Sequence, residues 1–307
     1  MKRSTKMENT EVGYILAGIT TLAWGLAVIP VKMSKSPGSK GIAFSIPAGI
    51  LILLPFLIYT LYYNLSSINI ASLDVLSFFI IAGGICQFPL ATICYYEAIR
   101  NADISTVTPL QCLKMPMVIG IVLVLGIETV SLHSIIGCLI GIVGAVVITG
   151  KKKKNSHPQN TEATLHIKKG IILVLLACLF WSMGDLLLRE AIQGLPSTVV
   201  TPVALFVGGL GFYIWTFIKG NAREVFGIPL RDKICYNIHG VVSFGIGYCT
   251  FLAAMSYIGV SRTVIITNSW PLISFLVGIF IYREKISVTK TVGAFLLISS
   301  IYYVIIT

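Results

Sequence analysis

From Val12 onward the chain is laid down in apolar blocks of about twenty residues, bounded by Gly, Pro, Asn or charge. About twenty is the length a helix needs to cross a hydrocarbon core of roughly 30 Å. Ten blocks can be read, at 12–32, 41–63, 73–99, 104–126, 132–150, 169–190, 197–218, 234–257, 261–282 and 288–306. Inside lipid a segment must satisfy its own backbone polar groups, so each block is expected to be a helix. The 307 residues are 56% hydrophobic and only 11% charged, too little charge to cover a soluble surface. The expected fold class is an all-α membrane protein of ten transmembrane helices.

The formal charge of +11 sits mainly in short loops between the blocks, which points to a membrane surface and not to nucleic acid. The expected setting is multi-pass in a cell (inner or plasma) membrane, with lipid as the surrounding partner. The start, MKRSTKMENTEVGYILAGITTLAWG, has an apolar body longer than a signal-peptide core and lacks a small-x-small cleavage site, so a retained first span is expected. None of the seven cysteines forms a CxxC pair; buried reduced thiols are the expectation.

One long polar segment, KKKKNSHPQNTEATLHIKK, divides the blocks five and five. The expected organisation is residues 1–150, a basic polar linker at 151–168, and residues 169–307. The two halves repeat. Trp24 is followed eight residues later by Lys32, and Trp181 by Arg189; Pro47 has a counterpart in Pro202. At an offset of 156, Ala98 pairs with Ala254, Ser105 with Ser261, Glu128 with Glu284, Ser131 with Ser287 and Gly137 with Gly293, while Pro116 and Pro271 match at 155. Five is odd, so the second copy must enter the membrane from the opposite side, giving an inverted repeat. Two such halves can open a central cavity alternately to either face, which serves a carrier.

The stretch AIRNADISTVTPLQCLKMPMVIGIVLVLGIETVSLHSIIGCLIGIVGAVVIT resembles the EamA repeat of the drug/metabolite transporter superfamily. AAMSYIGVSRTVIITNSWPLISFLVGIFIYREKISVTKTVGAFLLISSIYYVII resembles it again, more loosely. WGLAVIPVK, residues 24–32, is also similar to sugar-uptake members of that superfamily. The resemblance implies two inverted five-helix EamA repeats forming a ten-helix basket. Helices one to four and six to nine would line a cavity, with five and ten at its periphery. Relatives carry amino acids, sugars, nucleotide sugars and other metabolites.

Lys114 stands ten residues into the block at 104–126. A central charge in a span costs about 2.5–3.5 kcal/mol on insertion scales, so it must face a wet cavity or a buried partner. Gln111, three residues earlier, shares its side of the helix, and Pro109 and Pro116 each free a carbonyl nearby. This patch is expected to bind a ligand; the alternative is an ion pair with Glu97 or Asp185. Further substrate-binding candidates are Gln87 beside Pro89, Asn268 and Trp270 near Pro271, and Trp24 and Trp181, where interhelical bonding or wall packing is the plainer reading. Tyr95 and Tyr96 read as an aromatic belt. Lys32 and Arg189 end their spans as snorkelling or gate residues, and Asp185 stands four residues before Arg189, within pairing reach along the helix. Gly137, Gly141 and Ala145 form a ladder of small residues for close helix approach, within the monomer or in a homodimer. Glu128 and Glu284 are expected to cap or brace the next helix.

Lys2, Arg3, Lys6, Arg189 and Arg262 fall on the side of both termini and the other seventeen basic residues, Lys114 apart, on the opposite side. The charge count places the linker in the cytoplasm; the resemblance implies termini there. The expected function is secondary transport of a small polar metabolite by alternating access. An ammonium at mid-depth favours a carboxylate-bearing one such as an amino acid, and a sugar or nucleotide-type solute is the alternative. There is no ATP-binding loop, so a gradient would drive it. His133, His157, His166 and His239 stand in no HExxH spacing and no GxSxG elbow occurs, so an intramembrane enzyme, a metal and a cofactor are not expected. A receptor-like protein without transport would lack an accessible cavity.

Overall fold

The computed structural model describes residues 2–64, 73–101, 110–149, 161–283 and 288–305, and within these the chain is helical with no strands. Seven helices are long and apolar enough to cross a membrane: α1 (Thr10–Met33), α2 (Gly38–Tyr63), α3 (Asp74–Ala98), α6 (His166–Ala191), α7 (Ser197–Ile218), α8 (Leu230–Ile258) and α9 (Val260–Phe280). Three shorter apolar helices complete the set: α4 (Gln111–Leu125), α5 (Leu132–Val147) and α10 (Thr291–Ile305). Over the described residues, three of the ten expected spans are shorter than a full crossing. In α4 a tight 3₁₀ turn at Gln111–Leu113 leads into the α-helix Lys114–Leu125, which holds Pro116. Pro109, Ser105, Glu284, Ser287 and the run at 151–160 lie outside the described residues. Within the described residues the helix that becomes α6 is present from Thr161.

Large apolar side chains face outward all around the bundle; Phe78 is 62% exposed and Val124 85%. Such a surface is stable against lipid tails and not against water. The chain is an integral, multi-pass membrane protein.

Lipid offers no hydrophobic drive between helices, so close backbone approach through small residues takes its place. Gly137, Gly141 and Gly144 lay α5 on α10; a Cβ at Gly137 would stand 2.6 Å from Val304 Cγ2 and one at Gly144 2.9 Å from Leu296 Cβ. Ser300 Oγ donates to the Gly137 carbonyl at 2.7 Å. The small-residue ladder therefore serves packing inside one chain.

The third helix of each half packs against the first two of the other half. Gly83 and Gly84 of α3 admit Leu188 of α6 and the Ala204 backbone of α7. Gly247 of α8 admits Trp24 of α1, and Gly49 of α2 lies against the Gly240 carbonyl. Both third helices widen into π-helical turns, at Cys86–Leu90 in α3 and Gly240–Gly247 in α8. The offset of 156 carries the first onto 242–246, inside the second. A π-turn leaves backbone groups out of register, which accommodates Pro89 in α3 and close helix contact in α8.

Candidate functional site

Where α3, α4, α6 and α8 meet, the described residues place one ion pair at the centre. Lys114 Nζ lies 2.7 Å from Asp185 Oδ2, with the lysine side chain 13% exposed and the aspartate fully buried. Ser182, one turn before Asp185, donates to the Cys178 carbonyl of its own helix at 2.8 Å and lies 3.3 Å from the Lys114 carbonyl of α4. Of the two partners open to Lys114, the structure gives Asp185. Glu97, the other, is part-exposed further along α3, and its carbonyl accepts from Asn101 Nδ2.

The second carboxylate oxygen is held by α3 and α8. With its amide turned to satisfy its neighbours, Gln87 donates to Asp185 Oδ1 at 3.3 Å and to the Trp181 carbonyl at 3.1 Å. The Tyr248 hydroxyl lies 3.4 Å from Asp185 Oδ1 and 3.3 Å from the Gln87 amide oxygen, with one proton to offer. Gln87 reaches this position because residue 184 has no side chain: a Cβ there would meet Gln87 Cβ and its backbone nitrogen at 3.0 Å.

Aromatic rings wall the pair. Lys114 Nζ stands 5.4 Å from the Phe251 ring centroid, and Phe251 packs on Trp24 at 5.1 Å and on Tyr248 at 5.5 Å. Trp24 donates through Nε1 to the Ser243 carbonyl at 3.2 Å, inside the π-turn of α8. Tyr248 also packs on Phe88 at 5.3 Å. Burial of this kind lends a desolvated ammonium about 2 kcal/mol or more of attraction to a ring.

The remaining candidates divide. Trp181 joins the site through its carbonyl, while its ring packs on Tyr95 at 5.5 Å. Gln111 lies one 3₁₀ turn from Lys114 and is part-exposed. Asn268 and Trp270 border a break in α9 at Asn268–Ser269, the counterpart of the turn opening α4. Lys32 sits at the end of α1 over the Tyr282 ring, 3.8 Å from its centroid. Arg189 pairs with the adjacent Glu190, and not with Asp185 as the helical spacing allowed, because Asp185 turns inward to Lys114. Glu128 accepts from the Val260 and Ser261 amides at 3.0 and 2.8 Å, so it caps α9 of the other half, and not the helix that follows it. Among the described residues no three His, Cys, Asp or Glu gather in a metal-binding group.

Sequence reasoning did not single out Tyr248, Phe251 or Ser182. Each is an ordinary residue of an apolar helix, marked by no charge or proline; only the glycines around Tyr248 hint at close packing there.

The ends of the bundle are held differently. Asp232, at the start of α8, accepts from the Ser36 amide at 2.9 Å, the Lys35 amide at 3.3 Å and the Ser36 hydroxyl, all in the turn between α1 and α2. Tyr236 adds a hydrogen bond to the Ser36 carbonyl at 2.6 Å. Tyr96, near the end of α3, packs at Gly38 beside this turn, so α3 and α8 run in opposite senses. The residue 156 before Asp232 is Leu76, at the start of α3. It packs on Gly194, in the turn between α6 and α7 at the other end. One end is closed by a carboxylate clasp, the other by an apolar contact.

Two open grooves of about 440 and 520 Å³ lie between helices outside this centre, one along α4 and α6 beside Pro116 and Gly120, the other along α2 and α8 beside Pro47 and Asn237.

Residues 168–306 match the model of the EamA-like transporter family. The matched residues include the stretch at 253–306 that resembles the repeat more loosely. An "uncharacterized transporter" of Clostridium kluyveri (strain ATCC 8527 / DSM 555 / NBRC 12016 / NCIMB 10680 / K1) is 22% identical over 297 residues, which cover 94% of this chain and 92% of that one. A solved crystal structure aligns with a TM-score of 0.73 over 95% of both chains at 15% identity, a likeness of fold.

Proposed function

We propose that this chain is a secondary carrier of the drug/metabolite-transporter type. It moves a small polar, carboxylate-bearing metabolite, an amino acid or a related compound, across the membrane by alternating access, and Lys114 receives the carboxylate. The observation that carries the reading is the buried ammonium at the meeting of helices from both halves, paired with a single carboxylate. A charge there is costly unless it has a task or a partner, and an arriving carboxylate can replace the partner it has. The site is filled by its own ion pair, so ligand entry means displacement of Asp185 from Lys114.

The likeness to transporters over 168–306 and to the clostridial protein supports a transport role and gives no ground for catalysis. The small-residue packing of α3 and α8 on the opposite half supports two inverted five-helix units, with the three shorter helices counted as spans. The differing clasps at Asp232 and Leu76 support two gates that open in turn. A sugar or nucleotide-type solute is the second reading, favoured by the Trp24–Phe251 wall, which suits stacking on a ring.

A thermal-shift screen of the purified protein against amino acids, organic acids, sugars and nucleotides tests this, because a ligand that binds the folded state raises its stability by linkage. Carboxylates are expected to stabilise the wild type and not Lys114→Ala. Equal stabilisation of both would remove the role given to Lys114; stabilisation by sugars alone would select the second reading.

A further inference from the structure

We propose that Asp185 is the proton-binding group of this site: a carboxylate ligand with no ammonium of its own that takes Lys114 leaves Asp185 to bind one proton, so carboxylate and proton are carried together. This rests on the reading of Lys114 as the carboxylate's receiver and adds the coupling to it.

The starting site holds one ammonium and one carboxylate, and its net charge is zero. A ligand carboxylate that captures the ammonium brings the site to one net negative charge, carried by a side chain with no exposed surface. A buried charge stripped of its partner is strongly disfavoured, and a carboxylate escapes by taking a proton. The balance then closes: one O–H bond forms on Asp185 with a proton from the aqueous phase, no ligand bond breaks, and the site is neutral again.

Among the described residues no second charged side chain pairs with Asp185. From α4 the charged group facing Asp185 is Lys114 itself; α8 presents the neutral Tyr248 hydroxyl and α3 the neutral Gln87 amide. On its own helix, Ser182 is neutral and turned to two carbonyls, and Arg189 is engaged by Glu190. The same neighbours serve both protonation states. The Gln87 amide donates to either form of the carboxyl, and the Tyr248 hydroxyl donates to the charged form and accepts from the neutral one.

Two measurements on the full-length purified protein test this. In the ligand-free Lys114→Gln variant, Asp185 is left as a ligand would leave it. Infrared spectroscopy should show one protonated-carboxyl band that the wild type lacks and that Lys114→Gln/Asp185→Asn loses. An unchanged spectrum overturns the inference. If the variant does not fold, ligand binding decides: lactate, succinate and alanine are added to the wild type and to Asp185→Asn in weakly buffered solution, with proton uptake and thermal stability followed together. One proton taken up per lactate bound, absent in Asp185→Asn, is the expected result. Lactate bound with no proton, or binding confined to alanine, whose ammonium would occupy Asp185, overturns the coupling and leaves Lys114 in its role. Binding of none of the three removes the Lys114 reading and the coupling with it.

Discussion

Removal of one partner of the central ion pair should destabilise the protein far more than removal of both. In Asp185→Ala the ammonium of Lys114, 13% exposed, loses a partner at 2.7 Å and retains the Phe251 ring at 5.4 Å. Breaking a buried pair from one side costs about 3–5 kcal/mol, whereas replacing both partners by apolar groups is often neutral or favourable. The ring offsets part of that, about 2 kcal/mol. The double variant Lys114→Met/Asp185→Ala strands no charge. It does leave Gln87 and Tyr248 short of an acceptor, which costs about 1–3 kcal/mol for each group not re-satisfied; their contact at 3.3 Å with each other limits that loss. With roughly 2–4 °C of melting temperature per kcal/mol in chains of 150–250 residues, Asp185→Ala should melt on the order of 5–10 °C below the wild type. The assay is a thermal melt of the four proteins of the double-mutant cycle in one detergent. The double variant should recover at least half the loss of Asp185→Ala. A double variant as unstable as the sum of the singles would refute the reasoning, since the two side chains would then not be coupled.

Other expectations follow from single contacts. Gly184→Ala places a Cβ 3.0 Å from Gln87 Cβ and backbone, and should cost about 1–3 kcal/mol by forcing α3 from α6, read as a lower melting temperature. Glu128→Ala removes the acceptor for two amides opening α9 and should cost about 0.5–2 kcal/mol, with faster hydrogen exchange at Val260 and Ser261. Asp232→Ala releases the turn between α1 and α2. A cysteine at Ser36 should then react faster with a membrane-impermeant maleimide, while Leu76→Ala should leave that end unchanged. Trp24→Ala should weaken ring-bearing ligands more than small carboxylates, read as a drop in thermal stabilisation by nucleotides relative to lactate.

Much of the architecture was legible because lipid imposes one rule on every segment. The apolar blocks fell on helices, and Lys114 stood out because a charge has no place in such a block. Its partner was not legible. Glu97 and Asp185 were both within reach on composition, and the choice depends on how α3 and α6 are rotated against α4. That rotation is set by side-chain contacts such as Gln87 on Gly184, which no sequence spacing expresses. Helical spacing made Arg189 available to Asp185, but inward rotation took Asp185 to Lys114 and left Arg189 to Glu190. Glu128 was read as serving the helix that follows it and instead reaches the Val260 and Ser261 amides of α9, contacts 132 and 133 residues apart in the chain that spacing does not express. The π-turns had only Pro89 and a run of glycines to announce them, residues equally at home in an α-helix within a membrane.

The central claim is that Lys114 hands its charge from Asp185 to a carboxylate that crosses the membrane. Counterflow in proteoliposomes measures that directly: vesicles loaded with the unlabelled carboxylate that best stabilises the protein are diluted into trace labelled compound. The wild type should accumulate label transiently and Lys114→Ala, reconstituted to the same density, should not. Label accumulating equally in both would contradict the account.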